Sequence, residues 1–117
     1  MLYNKEKYNL LVQSLEDSSI STIWSAIVSE NFEDIELSYE ERIDIFLKLI
    51  KCLLSEGRVK LGKHDKFLDG TIEEQIERYR KALPTCEEDL YSGLWFTFEE
   101  CPGGIVWIHG DGYEYWT

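Results

Sequence analysis

Cys101, His109, Asp111 and Glu114 are the residues of this chain whose types and spacing come nearest to nucleophilic chemistry. A Cys–His pair works when a nearby cation holds the thiol as a thiolate. Here the neighbourhood is acidic, which pushes a cysteine pKa upward and opposes the thiolate. His64 and His109 are the only histidines, and neither has the helical partner of an HExxH zinc pair. Asp65, Asp69, Glu73 and Glu74 lack the alternating oxygen spacing of a calcium loop. The glycines of CPGGIVWIHGDG match neither GxxxxGK[ST] nor GxGxxG placed between a strand and a helix, so they read as turn glycines. The sequence therefore predicts no catalytic, cofactor-binding or metal-binding residues, and a protein that is not an enzyme.

Charge is the feature that stands out. Twelve Lys plus Arg stand against 23 Asp plus Glu, a net charge of −11 over 117 residues. That argues against a nucleic-acid binder, which needs a basic stripe to displace counterions, and against docking on anionic membranes. The imbalance is greatest over residues 82–117, which hold seven acids and no base. The same stretch holds Trp95, Phe96, Phe98, Trp107 and Trp116. An acidic surface with aromatic anchors suits a basic protein partner, because such fields speed association and reject wrong partners. The residues expected to bind it are Glu87, Glu88, Asp89, Glu99, Glu100 and Asp111, with Trp95 and Trp107 as desolvated anchors. Packing of Trp95, Trp107 and Trp116 in the core or on a sheet face is the alternative reading. Glu30, Glu33, Asp34 and Glu36, with Phe32, form a competing acidic site.

The elements that position these residues follow from periodicity. Tyr8, Leu11, Val12 and Leu15 mark one helix face, and Ile20, Ile23, Trp24, Ile27 and Val28 mark a second, capped by Ser18 or Ser19. Residues 30–37 read as an acidic connection. Ser38 and Glu41 form a capping box that opens a long helix to about Glu56. Its apolar stripe is wide enough to make it the most buried helix, and Gly57 is placed to end it in a left-handed cap. Past Gly57 the period changes. RVKLG (58–62) reads as a strand and KHDKFLDG (63–70) as a loop. Thr71 and Glu74 repeat the capping box before a helix ended by Pro84. CEEDLYSG offers one helical turn, and LWFTF (94–98) is strand-like. IVWIH (105–109), the Gly110–Gly112 turn and the aromatic run 113–116 form a hairpin. Helices followed by clustered short strands predict an α+β fold, with N-terminal helices packed on a small, mainly antiparallel C-terminal sheet.

The length suits one domain over residues 1–117, with a helical half (1–57) and a mixed half (58–117). No apolar run approaches the ~20 residues of a membrane span, and charges interrupt the N-terminus where a signal peptide would be apolar. With an odd number of cysteines (Cys52, Cys86 and Cys101) and no CxxC pair, reduced thiols in a cytoplasmic protein are expected.

EGRVKLGKHDKFLDGTIEEQIERYRKALP and GLWFTFEECPGGIVWIHGDGYEYWT resemble a small bacterial family defined as a domain of unknown function, over roughly residues 56–117. Some of its members are encoded beside contact-dependent growth inhibition toxins and serve as their immunity proteins. The resemblance implies a cytoplasmic immunity protein that binds and blocks a basic toxin domain. A nuclease toxin would present a basic groove, in which carboxylates stand where phosphates would. The alternatives are a small ligand-binding domain or enzyme with a pocket between sheet and helices, and an adaptor within an oligomer. The oligomeric state is left open.

Overall fold

The computed structural model describes residues 5–27 and 36–117. The order of elements is α1 (Lys5–Leu15), α2 (Ile20–Ser25), α3 (Tyr39–Ser55), β1 (Val59–Lys63), β2 (Lys66–Phe67), α4 (Ile72–Ala82), a run of 3-10 turns (Glu87–Thr97), β3 (Gly104–Ile108) and β4 (Glu114–Trp116). This is the α+β architecture expected.

Local chemistry sets the helix ends. Ser19 accepts from the Thr22 amide and so caps α2. Both predicted capping boxes are formed. Ser38 accepts from the Glu41 amide while Glu41 accepts from the Ser38 amide, and Thr71 and Glu74 do the same for α4. At the other end of α3, Gly57 has φ +73°, and the Arg58 and Gly57 amides donate back to the Leu53 and Leu54 carbonyls. That is the double bond of a glycine-terminated helix, and it satisfies carbonyls the helix would otherwise leave open.

The Thr71 box has a measurable consequence. Bonds from the Thr71 main-chain amide and side chain hold the Glu74 carboxyl below the usual glutamate range. A depressed folded-state pKa contributes stability above the ordinary carboxylate range, and that contribution is lost as pH falls through the folded value. By NMR, Glu74 is therefore expected to titrate below the usual glutamate range. The stability difference between the native chain and Glu74→Gln should shrink as the solution is acidified. A difference that does not change with pH would contradict the capping geometry.

The four strands form an antiparallel sheet in the order β2-β1-β3-β4. One face, carrying Val59, Leu61, Ile105 and Trp107, enters the hydrophobic core with Ile45, Phe46, Leu49, Ile50 and Leu53 of α3. Core residues come from both halves of the chain, including Tyr8, Val12 and Leu15 of α1. Aromatic rings run through its centre. Phe46 lies 5.5 Å from Trp24, 5.7 Å from Phe96 and 6.4 Å from Tyr79, and Trp95 meets Phe96 at 5.3 Å.

Two segments differ from the sequence expectation. LWFTF is not a strand; it closes the 3-10 run, whose positive φ at Tyr91 (50°) and Gly93 (96°) interrupts the turns. Burial at Leu90, Gly93 and Phe96 follows the three-residue period of that helix type, and aromatic β-propensity is overridden by core packing. KHDKFLDG is not only a loop. His64 and Asp65 adopt φ of 53° and 63° and turn the chain so that Lys66–Phe67 pairs back on β1. Two consecutive positive-φ residues are the conformation a two-residue hairpin demands. Residues 28–35, which include the end predicted for the second helix and most of the competing acidic site, lie outside the described residues.

On the outer face of the sheet Trp116 lies across Gly62. A Cβ added there would sit 2.6 Å from the indole ring, so glycine makes the room. Trp116 also stacks on Phe67 at 5.2 Å, and the Lys60 ammonium lies 4.7 Å above the Phe67 ring.

Candidate partner-binding surface

The predicted acidic residues fall on three elements. Glu87, Glu88 and Asp89 open the 3-10 run, Glu99 and Glu100 follow its end, and Asp111 sits in the β3–β4 turn. All six are exposed. Short connections and tight turns hold the first five on one continuous stretch. Asp111 belongs to a separate hairpin, where it accepts from the Tyr113 amide at 3.0 Å.

Their charges are not equally available. Arg42 donates to Glu87 at 2.7 Å while its guanidinium lies 4.4 Å from the Trp24 ring centroid. Lys63 and His64 lie 3.2 and 3.1 Å from Glu99. The Lys63 contact is the main cause that holds the Glu99 carboxyl below its usual range. Among the described residues, Glu88, Asp89, Glu100 and Asp111 form no ion pair. Asp89 instead accepts from the Cys86 thiol at 3.1 Å, and this bond pushes that thiol up.

Trp95 and Trp107 are not surface anchors. They are 4 % and 3 % exposed, and the Trp107 indole N–H donates to the Ser18 carbonyl at 2.8 Å. The core needed large rings to fill the space beneath a small sheet, and these two supply them. The exposed apolar side chains beside the acids are Tyr91 and Leu94, 59 % and 56 % exposed, with Tyr91 5.8 Å from Phe98. The sequence signal for them was the three-residue period: Tyr91 and Leu94 share a spacing of three, one position out of step with buried Leu90, Gly93 and Phe96.

A groove of about 550 Å³ opens beside this stretch, between α2, α3 and the 3-10 run, with Trp24, Arg42, Glu87, Glu88 and Tyr91 in its lining. It lies away from the space between sheet and helices.

The fold does not bring Cys101 and His109 together. Cys101 and His109 flank β3 at opposite ends. Cys101 is buried, its thiol is pushed up by that burial, and its sulfur lies 3.0 Å from the Tyr79 hydroxyl. His109 meets Asp17 at 2.9 Å and Glu16 at 3.5 Å, which ties the end of β3 to the α1–α2 turn. Among the described residues no cluster of His, Cys, Asp and Glu is arranged to hold a metal ion. Among the same residues no helix is long and apolar enough to cross a membrane.

A small antiparallel sheet covered by helices, with an acidic stretch on one flank, defines the class. Residues 54–117 match the family described as "Protein of unknown function, DUF596", and the chain belongs to that family. The matched region begins in the last turn of α3 and holds the whole sheet, α4 and the acidic stretch. The fold is similar to that of an uncharacterized protein conserved in bacteria, from Neisseria meningitidis. That likeness has a TM-score of 0.78 at 27 % identity and covers 96 % of this chain and 88 % of the other. No curated protein matches the chain.

Proposed function

We propose that this chain is a cytoplasmic immunity protein that binds and blocks a basic toxin domain of a contact-dependent growth inhibition system. The observation that carries the reading is the surface from Glu87 to Glu100. Among the described residues it presents Glu88, Asp89 and Glu100 free of ion pairs, with Tyr91 and Leu94 exposed among them and no base in the stretch. Unpaired carboxylates draw a basic partner at long range, and adjacent exposed aromatic and aliphatic groups give the contact a desolvated centre. Inhibition of this kind works by occlusion and asks no catalytic group of the inhibitor. A nuclease is the toxin class whose substrate groove such carboxylates would fill.

The test uses a basic nuclease toxin domain of a contact-dependent growth inhibition system. Titration should give a complex whose affinity falls steeply with salt. Glu88→Lys with Glu100→Lys should slow association and weaken binding at least ~10-fold at low salt, as loss of steering charge does. Tyr91→Ala should instead speed dissociation. Both variants should retain the native fold by circular dichroism. Absence of a complex overturns the proposal, as does an affinity indifferent to salt and to both changes.

A further inference from the structure

The groove beside the acidic stretch already holds one guanidinium, and it repeats the features that hold it. The Arg42 guanidinium lies 4.4 Å from the Trp24 ring centroid, and its Nη1 donates to Glu87 Oε1 at 2.7 Å. Its Nε donates to the Ile27 carbonyl at 2.8 Å. An aromatic face and a carboxylate thus hold Arg42 with 19 % of its side chain exposed.

Glu88 and Tyr91 line the same groove and form a second pair of that kind. They stand three residues apart in the 3-10 run, a helix type in which positions i and i+3 eclipse. Among the described residues Glu88 has no ion pair, and Tyr91 is 59 % exposed. Tyr91 also has φ 50°, in the left-handed region that a bulky residue rarely adopts. Core packing does not account for that strain at a ring left exposed, and backbone strain collects at ligand-binding positions.

The charges of the groove select its occupant. Glu87 neutralises Arg42, so Glu88 leaves the lining with one net negative charge. An anion would meet that carboxylate. A neutral ligand would bury it unpaired, which is costly. A metal ion finds no ligand set, because among the described residues no cluster is arranged for one. A guanidinium satisfies both members of the pair: its plane stacks on the ring while its N–H groups reach the carboxylate. A lysine ammonium is a compact, strongly hydrated charge and uses the ring less well.

We propose that this groove receives an arginine side chain of a protein partner, seated between the Tyr91 ring and the Glu88 carboxylate. Glu87 spends only Oε1 on Arg42, and its second oxygen offsets the repulsion between the two guanidiniums. That the partner is a toxin domain rests on the proposed function; the preference for a guanidinium does not.

NMR titration of the full chain with N-acetyl-arginine methylamide, and with its lysine counterpart, tests this. The arginine probe should move the Tyr91 ring, Trp24 indole N–H and Arg42 Nε–H signals saturably. The lysine probe should bind at least ~3-fold more weakly, the share that stacking on an exposed ring adds. Glu88→Gln should weaken the arginine probe by a similar ~3-fold, as loss of an exposed ion pair does. Tyr91→Leu keeps bulk and removes the ring face, so it should bring the arginine probe down to the lysine level. Equal binding of the two probes to the native chain overturns the inference. So does a response that does not saturate, or one as large at Asp111, outside the groove, as at Tyr91. The comparison of probes needs no variant, so it stands even where Tyr91→Leu fails to fold. A chain that binds the toxin domain and ignores the arginine probe overturns this inference alone. One that binds the probe and no toxin domain overturns the proposed function alone.

Discussion

Phe46→Ala is expected to cost about 3–5 kcal/mol, the range for removing a buried aromatic ring. Phe46 is 0 % exposed and meets the rings of Trp24, Tyr79 and Phe96. These rings come from α2, α4 and the 3-10 run, so a cavity at Phe46 would be lined from three directions by elements that cannot all close on it. Domains of this size are stable by only ~5–15 kcal/mol, so the loss is a large share of the total. Leu47→Ala and Ile50→Ala, on the same helix and 2 % and 1 % exposed, should each cost about 2–5 kcal/mol. Urea unfolding followed by Trp fluorescence measures all three. A loss under ~1 kcal/mol at Phe46 would mean that α3 does not form the centre of the core.

Tyr79→Phe removes one oxygen and keeps the ring. Its hydroxyl, in the core, donates to the Gly103 carbonyl and lies 3.0 Å from the Cys101 sulfur. Burial is the main cause that holds this phenol well above its ordinary pKa. Without the hydroxyl the Gly103 carbonyl keeps only the weak Cys101 thiol donor, 3.5 Å away. That costs about 1–3 kcal/mol, the range for a buried acceptor that loses its main partner. The tie matters because Gly103 approaches β1 closely: a Cβ there would stand 2.9 Å from the Gly62 carbonyl oxygen. Thermal and denaturant unfolding of Tyr79→Phe check the value. A variant as stable as the native chain would show that the hydroxyl is dispensable to that turn.

The helices were legible because their signals are local. Ser38–Glu41 and Thr71–Glu74 carry both halves of a capping box within four residues, and Gly57 follows the last apolar position of α3. The closing hairpin was legible from its glycine turn between aromatic runs. LWFTF misled because its composition favours a strand, whereas its conformation is set by what it covers. Trp95 and Phe96 are adjacent, yet both are buried, an arrangement a half-exposed strand does not allow. The candidate surface was legible as charge and not as contact. The absence of bases after residue 81 marked the acidic stretch. Which acids remain free depends on Arg42, Lys63 and His64, which are distant in sequence from Glu87 and Glu99. The tryptophans chosen as anchors were rich in apolar area for the reason that places them inside.

The order of strands also bears on how the chain reaches its folded state. The β1–β2 and β3–β4 pairs are hairpins, closed by turns of a few residues. The pairing between them is not local: Val59 lies opposite Trp107. Bringing these two together encloses α4 and the whole acidic stretch. By the usual logarithmic dependence on loop length, that closure costs roughly 3–4 kcal/mol of chain entropy before any contact repays it. The sheet is thus two quickly formed ribbons joined along one slow seam. Until that seam closes the facing edges of β1 and β3 are both unpaired, and unpaired strand edges are where a chain is most exposed to aggregation.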